Sequence, residues 1–176
     1  METIWHTVAR TVASEFSDLP DVEQFTRLVV RLVLSAVLGG LLGLERELHG
    51  KAAGVRTHML VSLGAALFVL VPQQAGMDGS DLSRVIQGVV AGVGFLCAGT
   101  ILKIGDGNGS VSNDHVKGLT TAAGLWLTAA IGIAAGLGRE MTAVLTTGLA
   151  IGILSLEGPI RRTLARRKSR RDRPEA

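Results

Sequence analysis

The sequence predicts an all-α membrane protein: a bundle of about five transmembrane helices preceded by an amphipathic helix. Three observations predict it. None of the 33 charged residues falls within Leu32–Leu44, Thr57–Met77, Val85–Leu102, Gly118–Gly138 or Met141–Leu156. A surface helix of a water-soluble protein keeps a charged face, so repeated uncharged runs of this length read as bilayer spans. Most of the 23 glycines sit inside those runs, where small residues let helices approach closely in lipid. The charges lie between the runs, and the basic ones are shared unevenly between the two sides they define.

Residues 1–20 form the first segment. Trp5, Val8, Ala9, Val12, Ala13 and Phe16 fall at i, i+3, i+4, i+7, i+8 and i+11, which is one apolar face of a helix. Such a helix can lie flat on the outer face of the membrane or dock on the bundle, and the first is the simpler expectation. Ser17-Asp18-Leu19-Pro20 ends it. The acidic residues Glu15, Asp18, Asp21 and Glu23 precede the first apolar run. That is the wrong order for a cleavable signal peptide, so the first span is expected to stay in the chain.

Residues 21–157 form the membrane domain. Its first span runs from near Asp21 to about Leu48, with Arg27 and Arg31 expected to snorkel toward the interface. Arg27, Arg31, Ser35, Gly39, Gly43 and Glu47 recur every four residues as a stripe of polar and small side chains, and Gly39 and Gly43 mark a close helix contact. A loop centred on 49–54 leads to a second span ending at Val71, before Pro72. Gly88, Gly92, Gly94 and Gly99 leave the third span little bulk on one side, which predicts a second packing face. The glycine-rich stretch 105–110 reads as a turn. The fourth span carries Thr120, Thr121 and Thr128, and Gly136-Leu137-Gly138 turns the chain into the last and shortest span. Residues 158–176 form a basic tail suited to anionic lipid.

With five spans and a cytoplasmic C-terminus, thirteen Lys and Arg residues lie inside and five outside. The positive-inside rule therefore favours an outside N-terminus.

The polar clusters are the candidates for function. Glu45-Arg46-Glu47 ends span one, and Lys51, Arg56, Thr57 and His58 follow across the loop. Carboxylates at a helix C-terminus meet an unfavourable dipole and need compensation. The preferred reading is a charge-paired cap tying two helix ends together. The sharper one makes Glu45 or Glu47 an oxygen ligand for a hard cation. A second cluster, Lys117, Thr120 and Thr121, enters span four, with Thr100 near the same level. Backbone satisfaction is its simpler reading, and anion attraction at a helix start its sharper one.

His6, His49, His58 and His115 are scattered, which reads as surface or loop histidines. A lone Cys97 excludes an internal disulfide and a multi-cysteine zinc site. No Ser/His/Asp set, phosphate loop or haem motif supports enzymatic activity, and no cofactor is expected. The basic tail has no aromatic interleaving, which argues against nucleic-acid binding.

Four stretches in order, 38–47 (LGGLLGLERE), 53–58 (AGVRTH), 92–99 (GVGFLCAG) and 118–126 (GLTTAAGLW), resemble the MgtC/SapB family of bacterial inner-membrane proteins. The resemblance covers roughly Phe25 to Leu156. It implies a domain of about five membrane helices, an association with magnesium limitation and, in some members, survival inside host cells. By motif match it carries over Glu45, Arg46, Glu47, Arg56, Thr57, Gly118, Thr120 and Thr121. Cys97 stands where the family pattern usually has glycine, and functions that depend on the soluble domain of long members are not carried over. The expected function is a regulatory or interaction protein linked to magnesium homeostasis or stress adaptation. Its expected partners are the lipid bilayer, another membrane protein and further copies of itself. The alternative is a small transporter or channel for magnesium or another solute.

Overall fold

A computed structural model describes residues 2–15, 21–102 and 118–156. The predicted turn at 105–110, Lys117, His115 and the basic tail lie outside the described residues. What is described is helical throughout: α1 (Glu2–Glu15), α2 (Val22–Leu48), α3 (Val55–Gln74), α4 (Gly79–Leu102), α5 (Leu119–Gly136) and α6 (Glu140–Ser155). Four of these, α2 to α5, are long and apolar enough to cross a membrane. The 16 residues of α6 span about 24 Å, short of the ~30 Å hydrocarbon core. Among the described residues α1 contacts no other helix, and its Trp5, Val8 and Val12 are exposed.

Each start and stop has a local cause. Asp21 caps α2 by accepting the Glu23 backbone N–H at 3.1 Å, satisfying one of the donors a helix start leaves free. Gly50, at φ +62°, reverses the chain after α2 without a Cβ penalty. Pro72 does not end α3, which continues to Gln74. Proline costs the helix one bond, to the Phe68 carbonyl, and the turn beyond it still closes, with the Ala75 N–H donating to the Val71 carbonyl at 3.0 Å and the Met77 N–H to the Pro72 carbonyl at 3.1 Å.

Before α4, one Asp78 oxygen accepts the Ser80 hydroxyl at 2.7 Å and the Ser80 and Asp81 N–H groups at 2.8 and 3.0 Å. The Asp81 N–H first, then the two Ser80 donors, hold the Asp78 carboxyl below its ordinary range. A group with a depressed folded pKa stabilises above its unfolded value and loses that contribution as pH falls. Acidification through the carboxylate range is thus expected to fray the start of α4. The protection factor for amide exchange at Ser80–Leu82 should fall there in the wild type, and in Asp78→Ala it should be low and independent of pH.

In lipid no hydrophobic force drives apolar helices together, so the bundle depends on close contact. Helix α3 is gripped from both sides. On α2, a Cβ added at Gly39 would lie 2.6 Å from the His58 carbonyl oxygen, and one at Gly43 would lie 2.6 Å from the Val55 Cα. On α5, a Cβ at Gly132 would run into the Ser62 carbonyl, and one at Gly136 would lie 2.6 Å from the Ala66 carbonyl oxygen. Two glycine pairs at i, i+4 therefore let α3 lie against α2 and α5 backbone to backbone. Helix α5 is the hub, touching α2, α3, α4 and α6, and more than half of its length is buried.

The glycines of α4 behave otherwise. A Cβ at Gly88, Gly92, Gly94 or Gly99 would meet nothing within 4 Å. Among the described residues, the packing face expected there has no occupant. Helix α4 turns Val93 and Cys97 toward its neighbours instead, and the Cys97 thiol lies 3.1 Å from the Ala122 carbonyl oxygen of α5.

Arg31 is a further departure. Its side chain is turned inward, donating to Gln73 Oε1 at 2.9 Å and to the Gly136 carbonyl at 3.2 Å, with Glu140 Oε1 3.7 Å away. Arg27 stays on the surface and pairs with Glu23. One guanidinium thus joins α2, α3, the end of α5 and the start of α6. Arginine suits this place because several planar donors serve carbonyl and carboxylate oxygens together.

Candidate functional site

The opposite end of the bundle carries the polar clusters. Helix α2 ends in Glu45-Arg46-Glu47, and the helical turn sends consecutive side chains different ways. Arg46 points inward and is fully buried, and Glu45 beside it is 8% exposed. Arg46 Nε donates to Glu45 Oε2. His49 Nδ1 lies 2.8 Å from the Glu45 carbonyl oxygen and 3.1 Å from Glu45 Oε1. Burying an ion pair is tolerable only when the geometry is good and the remaining donors are satisfied. Here they are not: Arg46 Nη1 and Nη2 are buried without a hydrogen-bond partner.

Glu47 resolves its unfavourable dipole in another way. Its side chain leaves α2 and accepts the Val55 backbone N–H at 2.9 Å, at the start of α3. A carboxylate destabilising at one helix end becomes stabilising at the next helix's start. Gly54, the N-cap residue, brings no side-chain cap of its own, so Glu47 supplies it.

His58 lies one turn into α3. It is not a surface or loop histidine, because none of it is exposed. The turns at Gly39 and Gly43 bring α2 over it, and α5 closes the other side. Its Nδ1 lies 3.0 Å from the Gly54 carbonyl oxygen, so Nδ1 carries the hydrogen. In the neutral ring that leaves Nε2 as an acceptor, and no donor reaches it. Four residues on, Ser62 Oγ is buried and equally without a partner. Arg46 and Glu45 both lie close enough to act electrostatically on the imidazole. A buried polar group left unpaired costs about 1–3 kcal/mol. Such groups gathered on two adjoining helices mark the part of the bundle least explained by packing.

The other candidates divide. Arg56 and Thr57 are exposed on the first turn of α3, away from the buried cluster. Thr121 is buried against the bundle, and Thr120 is exposed at the start of α5. Gly118 takes φ +97° to begin that helix. Thr120, His58 and Gly124 line one cavity of about 420 Å³, otherwise walled by apolar residues of α2, α5 and α6. Among the described residues no three of His, Cys, Asp and Glu gather where they could hold a metal ion.

Ser62 and the Gly132/Gly136 pair escape the sequence reading, which names His58 and Arg31 but expects the one on a surface or loop and the other at the interface. A signal was present for some of them. Gly132 and Gly136 repeat the four-residue spacing of Gly39 and Gly43, and His58, Ser62 and Ala66 share one helical face.

Relatives match much of the chain. A protein named "Putative magnesium transporter YhiD" in Escherichia coli K12 is 44% identical over 62% of this chain and 51% of its own. Protein SrpB of Synechococcus elongatus is 45% identical over 71% of each chain. Protein MgtC of Brucella abortus is 39% identical over 77% of this chain and 53% of its own. The chain thus spans about half the length of the YhiD and MgtC proteins it matches. No solved structure matches. The MgtC family model covers residues 32–163, from the glycine-bearing part of α2 through α6, and by that match the protein belongs to the MgtC family.

Proposed function

We propose that this protein is a membrane regulatory or interaction protein of magnesium homeostasis that acts by contacting another helix in the bilayer. In this reading it sits in the bacterial inner membrane with its N-terminus outside and its C-terminus in the cytoplasm. The observation that carries the reading is α4. Only 6% of its membrane-crossing stretch is buried, and Gly88, Gly92 and Gly99 leave one smooth side, with no described atom within 4 Å of a Cβ added at any of them. Small residues on a lipid-facing helix are the usual means by which a second helix comes close. The carboxylates beside the α2–α3 turn support it from the other direction. Glu45 Oε2 is held by Arg46 and Glu47 Oε2 by the Val55 N–H, so each carboxylate already serves a structural partner, while Glu45 Oε1, 3.1 Å from His49 Nδ1, is buried without a hydrogen bond. The magnesium link rests on family membership and on the name of the Escherichia coli relative.

A photo-crosslinking residue at position 92, in native membranes, is expected to yield adducts heavier than the chain. Leucine at both Gly88 and Gly99 should abolish them without loss of fold, because both positions face open space. Adducts unchanged by those leucines would remove α4 as the contact face. The transporter reading draws on the buried polar cluster around Arg46 and predicts something different. Purified protein in liposomes would then carry magnesium at a rate that Glu45→Gln abolishes, an outcome that would overturn the interaction reading.

A further inference from the structure

The cavity of about 420 Å³ between α2, α3, α5 and α6 falls in the range that holds small-molecule ligands. Its wall is almost wholly hydrocarbon, from Leu42, Leu127, Ala150 and Ile153 among others. Two polar side chains interrupt it. His58 brings an imidazole that is fully buried, with Nε2 unpartnered and turned toward Gly124, where an added Cβ would stand 3.7 Å away. Thr120 brings an exposed hydroxyl at the same end of α5.

We propose that this cavity binds a protonated fatty acid, with the chain against the leucine and isoleucine wall and the carboxyl group at His58 and Thr120. The chemistry fits this class. With Nδ1 committed to the Gly54 carbonyl, Nε2 of the neutral ring needs an O–H donor, and the Thr120 hydroxyl has a hydrogen to give to a carbonyl oxygen. A carboxylic acid offers that donor and that acceptor on one carbon. An alkane or an ester offers no donor and leaves Nε2 orphaned, and a carboxylate would have to shed its charge to enter an apolar wall. The unpaired Nη atoms of nearby Arg46 add a positive field that favours the oxygen-rich end of the molecule on this side. His58 has no exposed surface, so the head reaches Nε2 as α5 yields at Gly124, the one lining position on that side with no side chain to move. The inference is independent of the α4 contact, which lies on other faces of the bundle.

The test uses the full chain in lipid nanodiscs and a twelve-carbon fatty acid bearing a diazirine near its tail. Crosslinks are expected on 123–127 and 150–154, displaced by unlabelled dodecanoic acid at least tenfold more effectively than by methyl dodecanoate. Thr120→Val, at an exposed position, should cut that preference severalfold, and His58→Phe should erase it. Gly124→Leu fills the cavity and should abolish labelling. Equal displacement by acid and ester in the wild type would reduce the cavity to ordinary lipid contact. Labelling that survives Gly124→Leu, or that is absent from the wild type, would overturn the proposal. Should His58→Phe fail to fold, the Thr120→Val comparison decides alone: an unchanged acid-to-ester ratio refutes it.

Discussion

Replacing Arg46 with methionine is expected to destabilise the bundle by about 3–5 kcal/mol, the usual cost of breaking a buried ion pair from one side. Methionine fills much of the same volume, so the loss comes from charge rather than from a cavity. Without the guanidinium, Glu45 is left 8% exposed with only the His49 imidazole beside it, and a buried carboxyl that has lost its pairing is costly. Removing both charges together separates the terms. Glu45→Leu combined with Arg46→Met should recover most of the loss, because a buried pair is often matched or bettered by well-packed apolar residues. Unfolding in mixed detergent micelles, followed by circular dichroism, measures each variant. A double variant no more stable than Arg46→Met would mean that the guanidinium holds the fold by contacts other than its pairing with Glu45.

The second large effect is expected at Gly132. Alanine there adds one methyl group, but the methyl falls on the Ser62 carbonyl of α3. A backbone oxygen cannot rotate aside as a side chain would, so α3 and α5 must separate along their whole contact. We expect a loss of about 3 kcal/mol or more, at the upper end of overpacking effects. The control is Gly152→Ala on α6, where nothing lies within 4 Å of the added carbon. That change should be neutral or stabilising by up to ~1 kcal/mol, since alanine is the better helix former. The same micelle unfolding, with the amount of folded protein recovered from membranes, tells the two apart. Equal stability of Gly132→Ala and Gly152→Ala would show that the α3–α5 crossing is wider than described.

These two sites also show what was legible beforehand. Gly39 and Gly43 stand out in the sequence because a four-residue spacing inside an uncharged run has one physical use. Gly132 and Gly136 have the same spacing, yet α5 is so rich in Ala and Gly that one pair does not stand above its surroundings. Gly88 and Gly92 are the converse, with the right spacing on a helix whose glycine side meets no described residue. Spacing reports that a close approach is sterically allowed. It carries no information on whether a neighbour is there.

The polar residues divide on the same line. Glu45, Arg46 and Glu47 draw attention because charges at a span's end have to be accounted for. Nothing in their order says that Arg46 is buried, that Glu47 leaves its own helix to cap the next, or that Arg56 and Thr57 stay outside. His58 reads as one of four scattered histidines and proves fully enclosed. Arg31 reads as an interfacial anchor and proves to be a junction of four helices.

The order of residues alone settles the solvent of each segment and the sites where helices are able to touch: the apolar runs, their approximate ends and the small-residue spacings. These are one-dimensional properties, set by the cost of taking a charge or an unpaired peptide group into hydrocarbon, and each can be evaluated one helix at a time. Which face of α2 meets α3, that α5 rather than α4 stands at the centre, and that Arg46, His58 and Ser62 are sealed together were decided only by tertiary structure. Burial of a particular atom depends on helices distant in the chain arriving at one place. A side chain's exposure is therefore fixed by its neighbours and not by its own position in the chain.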